Sequence, residues 1–176
     1  MTNTGGYQNL IVYQLAVVIF DLTVQFVKSY IDPRSRTTDQ MVQAARSGKQ
    51  NIVEGSLEKS LKMNIKLTGV ARASLEELKE DYRDYLRTHD LELWDKNDPR
   101  IIEIRARRGS PNKSNWTYLT NTPERYCNLL ITLISLNCYL LDQMTRSLER
   151  KFITEGGYSE NLFKKRLEQR NKNETN

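Results

Sequence analysis

Apolar residues recur every three to four positions over four long stretches of this chain, and apolar–polar alternation never runs long enough for a strand. That period is the tightest constraint on the fold. Residues three and four apart share one side of a helix but fall on opposite faces of a strand, so only helices can bury these stripes together. The first stretch spans about residues 8–30, with Val12, Leu15, Ile19, Leu22, Phe26 and Tyr30 as its stripe; Ile11, Val18, Phe20 and Val27 widen it. A stripe this wide fits burial on more than one side. Pro33 ends it, because proline cannot continue a helix and disfavours helical geometry at Asp32. The second opens at "TTDQ", where Thr37 and Gln40 have capping-box spacing and Asp39 suits the positive helix end. Met41, Ala45, Gly48 and Ile52 form its stripe. The third covers about residues 60–88 on Leu61, Ile65, Thr68, Ala71, Leu75, Leu78, Tyr82 and Leu86.

Between residues 95 and 122 the pattern fails. Asp98-Pro99, Gly109-Ser110-Pro111-Asn112 and Thr122-Pro123 are turn signals, and Ile101, Ile102 and Ile104 fit either a short strand or a helical turn. The fourth helix starts at Pro123 with Thr122 as its cap and runs to about Phe152. Gly156-Gly157 breaks it, Ser159 caps a short last helix, and the final residues read as a disordered tail. The expectation is an all-α, up-down four-helix bundle over 1–152, with an irregular basic loop at 95–122. A short C-terminal helical arm and tail occupy 153–176.

The most apolar run, Leu10–Phe20, is eleven residues long and meets Asp21, which is short for a bilayer span. The start "MTNTGGYQN" has no basic signal-peptide region. Cys127 and Cys138 share one apolar stretch; on a helix their Cα atoms stand about 16 Å apart, beyond disulfide reach. Buried free thiols suit a reducing cytoplasm. One histidine, His89, weighs against zinc sites and histidine catalysis. No phosphate loop, nucleophile elbow or Glu-x-x-His metal motif occurs. No cofactor, no metal, no membrane partner and no enzyme activity are therefore expected.

The formal net charge is +5, and all of it lies in residues 94–176, since residues 1–93 are neutral. In "RIIEIRARRGSPNK", Arg100, Arg105, Arg107, Arg108 and Lys113 face one acid, Glu103. Lys164, Lys165, Arg166, Arg170 and Lys172 form a second cluster. Such clusters attract polyanions by counterion release, so the loop residues are candidate contacts to DNA or RNA. Solvated surface is the competing reading for both clusters.

The second helix also carries Ser47, Asn51 and Glu54 along one strip, at the edge of its stripe. Ala44, Ala45, Gly48 and Gly55 are small enough to let another helix close on that strip. Half-buried amides and carboxylates demand partners. A structural polar seam with Ser74 and Glu77 of the third helix is the first reading, with Asn51 and Glu54 largely buried.

"ARSGKQNIVEGS" also resembles the S-x-x-x-N-I-A-E-G signature of a bacterial four-helix bundle family, encoded within intervening sequences of large-subunit ribosomal RNA genes. Ser47, Asn51, Ile52, Glu54 and Gly55 match; Val53 stands where that family prefers alanine, and Gly48–Gln50 depart from it. "ARASLEELKEDY" is similar to its G-S-x-x-E-L block at Ser74, Glu77 and Leu78, and "NLIVYQLA" to its opening. The region from Tyr126 to Arg170 resembles the suffix domain of some members. The resemblance implies a left-handed bundle assembled as a homo-oligomer, often a pentamer. It also implies kinship with the accessory variability protein of diversity-generating retroelements, a basic barrel that binds nucleic acid and a reverse transcriptase. Together these expectations give a non-enzymatic, homo-oligomeric accessory protein that contacts nucleic acid through basic loops. The alternative is a structural scaffold or protein-binding adaptor without a nucleic-acid role.

Overall fold

The computed structural model describes residues 6–109 and 111–174, with the side chains of Arg108 and Glu174 left out of that description. The described residues form an all-α structure. A 3-10 turn, Tyr7–Asn9, leads into α1 (Ile11–Tyr30); α2 (Arg36–Leu57) and α3 (Leu61–Thr88) follow after short turns. After a connection come α4 (Pro99–Ala106), a 3-10 turn at Lys113–Leu119, the long α5 (Pro123–Glu155) and α6 (Tyr158–Glu174).

Helices α1, α2, α3 and α5 form the bundle. Each packs on its neighbour in the chain, and α5 closes the ring against α1. Consecutive helices run antiparallel. Tyr126 of α5 bonds the Leu22 carbonyl of α1, whereas Asn137, further along α5, bonds the earlier Val12 carbonyl. Gly48 and Gly55 of α2 likewise lie against Leu75 and Asn64 of α3, in reversed order. The core is the predicted set of stripes: Leu15, Ile19 and Phe26 of α1 meet Met41 and Ile52 of α2, Leu75, Leu78 and Tyr82 of α3, and Leu129, Leu130 and Leu133 of α5. Its upper end is aromatic. Phe26 takes edge contacts from Tyr82, Tyr85 and Tyr126 at 5.0–5.4 Å between centroids. The Tyr82 hydroxyl donates to Thr23 at 2.9 Å, so its burial leaves no unpaired oxygen.

By length and composition α1 and α5 are apolar enough to cross a bilayer, but half or more of their most apolar windows is buried in the bundle. The eleven-residue run at Leu10–Phe20 is the first half of the longer α1. Both cysteines are free and buried on α5.

Several boundaries differ from expectation. Ser35, not Thr37, caps α2, accepting from the Thr37 amide at 3.2 Å. The reason is the turn before it: Asp32 accepts the Arg34 amide through its side chain and the Ser35 amide through its carbonyl, both at 2.8 Å, which winds the chain into position early. The described residues of 95–122 are largely helical rather than irregular. Asp98 caps α4 by accepting from the Arg100 amide at 2.9 Å, and Pro99 takes the first helical position. Ile101 and Ile104 then bury on one face, which settles the isoleucine run as helix. At the far end, α5 extends three residues past Phe152, and Gly156 stops it with φ 77°, a conformation that favours glycine. The arm begins at Tyr158, with the Gly157 amide held by the Glu160 carboxylate at 2.9 Å. Helix continues to Glu174, where a disordered tail was expected, and residues 175–176 lie outside the described set.

Candidate functional site

The basic connection is built inward from Asn128, a polar residue inside the apolar face of α5. Its side chain is almost fully buried. The amide nitrogen donates to the carbonyls of Glu92 and Glu124, and its oxygen accepts the Trp94 amide at 2.8 Å. One side chain therefore ties the non-helical segment after α3 to α5. Trp94 is thereby laid on α5, and its indole nitrogen reaches Glu124 at 3.2 Å.

Arg100 caps this arrangement. Its guanidinium lies 3.5 Å from the centroid of the Trp94 ring and forks onto Asp98 with contacts of 2.9 and 2.7 Å. Hydrogen bonding from Arg100 holds the Asp98 carboxyl at about 2, below its ordinary 3.8. Arg107 pairs with Glu103 at 2.6 Å, and the Tyr118 hydroxyl donates to the same oxygen at 3.0 Å, tying the end of α4 to the following turn. Arg105 is exposed and donates to the Lys96 carbonyl at 3.1 Å. Lys113 is half-buried in a shallow groove beside Tyr13 and Asp21 of α1. The side chain of Arg108 lies outside the described residues. Two of the five candidate cations, Arg100 and Arg107, thus face carboxylates within the connection, whereas Arg105 is exposed and meets only a backbone carbonyl. Neither Asn128 nor Trp94 was singled out by sequence. The available signal was an asparagine on the buried side of an otherwise apolar helix.

The α2–α3 seam is smaller than expected. Ser47 and Ser74 hydroxyls meet at 2.9 Å across the two helices. Asn51 is half-buried and donates to Ser47, to its carbonyl at 2.9 Å and its hydroxyl at 3.2 Å, instead of reaching α3. Glu54 and Glu77 are exposed. The small residues do bring the helices together: a Cβ on Gly48 would sit 2.8 Å from Leu75. Position sets the difference: the two serines face each other beside the close approach at Gly48, whereas the glutamates lie on the solvent side of their helices.

Two further features stand apart from these. A cleft of about 370 Å³ opens where the α1–α2 turn meets the end of α3, walled by Tyr30, Ile31, Met41 and Tyr85 and rimmed by Asp32, Asp81 and Asp84. Burial, and then the charges of Glu77 and Asp84, push the Asp81 carboxyl above its ordinary value. His89 stacks on Tyr85 at 3.9 Å there. At the opposite end of the bundle, α6 leaves α5 with Tyr158, Leu162, Phe163 and Leu167 exposed.

Both cysteine thiols are shielded. Burial pushes the Cys138 thiol up to about 12, and the Cys127 thiol further still. No group of three or more metal-ligating side chains comes together among the described residues. No family model, no curated protein and no solved structure matches this chain.

Proposed function

We propose that the protein is a non-catalytic, self-assembling binding protein of the cytoplasm, a scaffold or adaptor related to the four-helix bundle family that its sequence blocks resemble. The observation that carries this reading is α6. Its seventeen residues project Leu162, Phe163 and Leu167 into solvent at 49, 62 and 41% exposure. A single helix of that length is marginal in water without a packing surface, and contiguous exposed apolar side chains mark interaction sites. Multi-angle light scattering at micromolar concentration tests it: a homo-oligomer is expected, a pentamer in the family's manner. A mass of 20.6 kDa, that of one chain, overturns it.

Nucleic-acid binding is the second reading, favoured by the exposed Arg105 of the connection and Lys164, Lys165 and Arg166 of the arm. Repetition around an oligomer would multiply this modest charge. Affinity for generic DNA or RNA should fall with salt by a log–log slope of about −0.9 per neutralised duplex phosphate. Fluorescence anisotropy at low and physiological salt reads it, with Arg105, Arg107, Arg108 and Lys113 changed together to alanine. Binding that survives this variant moves the contact to Lys164, Lys165 and Arg166 of the arm or elsewhere; no binding at low salt by the intact oligomer leaves the scaffold reading alone. A reverse transcriptase is the protein partner that the resemblance suggests, and co-purification of the two would support it.

A further inference from the structure

We propose that α6 of one copy docks into the cleft between the α1–α2 turn and the end of α3 of a second copy, joining chains head to tail. This rests on the self-assembly reading above and adds the two surfaces that meet.

The arm offers a mixed face. At 100° per residue, Leu162, Phe163, Arg166 and Leu167 fall within about 140° of the helix circumference, and Arg170 lies on the same side. Glu168 points the other way. The face is therefore apolar with arginine set into it. Arg166 is exposed and makes no ion pair among the described residues.

The cleft is its complement. Tyr30, Ile31 and Tyr85 are half-buried apolar walls, and Met41 forms the floor. Asp32, Asp81 and Asp84 rim it, and no lysine or arginine lines it. Arg87 pairs with Asp84 from outside at 2.9 Å, but both side chains are largely exposed and the pair is weak. Asp81 is different: it is half-buried, its ionised form is disfavoured by burial and by two acidic neighbours, and it makes no ion pair among the described residues. A guanidinium entering from above would remove that penalty.

The arm cannot reach the cleft of its own chain. It leaves the bundle beside Leu61 and Asn64, at the start of α3. From Asn64 to Asp84 the helix rises about 30 Å, whereas Gly157 to Arg166 spans only about 14 Å, at about 1.5 Å per residue. The cleft must receive the arm of another molecule. Because the two surfaces differ and lie at opposite ends, the contact is heterologous; it closes a ring or continues as a filament, according to the rotation between copies.

Two full-length variants separate this contact from any other interface. Phe163→Asp/Leu167→Asp disables the arm, and Asp81→Arg disables the cleft; the exposed Asp84→Arg serves beside it as a change that leaves core packing alone. Far-UV circular dichroism checks that each retains the helical signal. Light scattering should show each variant alone at one-chain mass, and an equimolar mixture at twice that mass, because one intact arm then meets one intact cleft and propagation stops. Arg166→Glu should also dissociate the assembly, and Arg166→Glu combined with Asp81→Arg should restore it. Variants that keep the wild-type mass overturn the arm–cleft contact while leaving self-assembly in place. A mixture that stays at one-chain mass overturns it as well. A wild-type protein of one-chain mass removes both readings.

Discussion

The connection between α3 and α5 and the arm after α5 are the two basic regions of the chain, and they place their cations in opposite ways. In the connection, acids sit two and four residues from the arginines: Asp98 holds Arg100, and Glu103 holds Arg107. A buried asparagine and an aromatic ring then tie that chemistry to the bundle. In the arm, the equivalent charges point outward and the apolar residues with them. A run of positive charge in a sequence therefore has no single meaning. What separates the two is the surface beside them: α4 packs on α5 and brings Arg100 over the buried Trp94 ring, whereas α6 leaves the bundle and keeps Lys164, Lys165 and Arg166 exposed.

Asn128→Ala should give the largest effect. It leaves the Trp94 amide and the Glu92 carbonyl unpaired near a packed surface, at about 1–3 kcal/mol for a buried group stripped of its partner. Urea unfolding followed by circular dichroism measures the loss, and a midpoint equal to wild type would mean that the connection is not held by this residue. Arg100→Ala comes next. It removes the fork onto Asp98 and the stacking on Trp94, and should lower the urea midpoint by less than Asn128→Ala does, because the pair is open to solvent. Arg100→Lys should recover only part of that, because an ammonium cannot fork or stack.

Acid should then weaken the connection in a narrow window. The Asp98 carboxyl is held at about 2 when folded against 3.8 in its ordinary state. A depressed carboxylate supplies its stabilisation above pH 3.8 and loses it as pH falls towards 2. Asp98→Asn should abolish that part of the acid dependence. The smallest effect belongs to the arm. Leu162→Ala with Phe163→Ala, at low protein concentration, should move stability by less than about 0.5 kcal/mol, as exposed positions do. A larger change would mean that the arm packs on its own bundle after all.

Four bundle helices were legible because their stripes are long and the core is built from them. Helix ends were less so. The Thr37–Gln40 spacing is a sound capping signal, but the Asx turn at Asp32 starts the helix before it applies. Asp98-Pro99 is a turn signal in the sequence, but the same pair serves equally as a cap followed by a first-turn proline. Only the burial of Ile101 and Ile104 against α5 decides between the two. The seam was half legible. Small residues announced the close approach, and the serine pair lies where that approach is tightest. Whether a carboxylate three or seven residues further along is covered depends on interhelical distance, which no spacing rule supplies. The clamp at Asn128 was least legible, since its partners are backbone groups 34–36 residues away.

The protein has two tryptophans, Trp94 and Trp116, and both belong to the connection. Both rings are buried, one under a guanidinium and the other in the turn before α5. The bundle helices themselves contain no indole. Intrinsic emission is thus a private optical channel for one segment: excitation at the red edge of the tyrosine band reports whether the connection is seated, while ellipticity reports the helices. A red shift in emission at constant ellipticity would time the release of the connection from an intact bundle, without any added label.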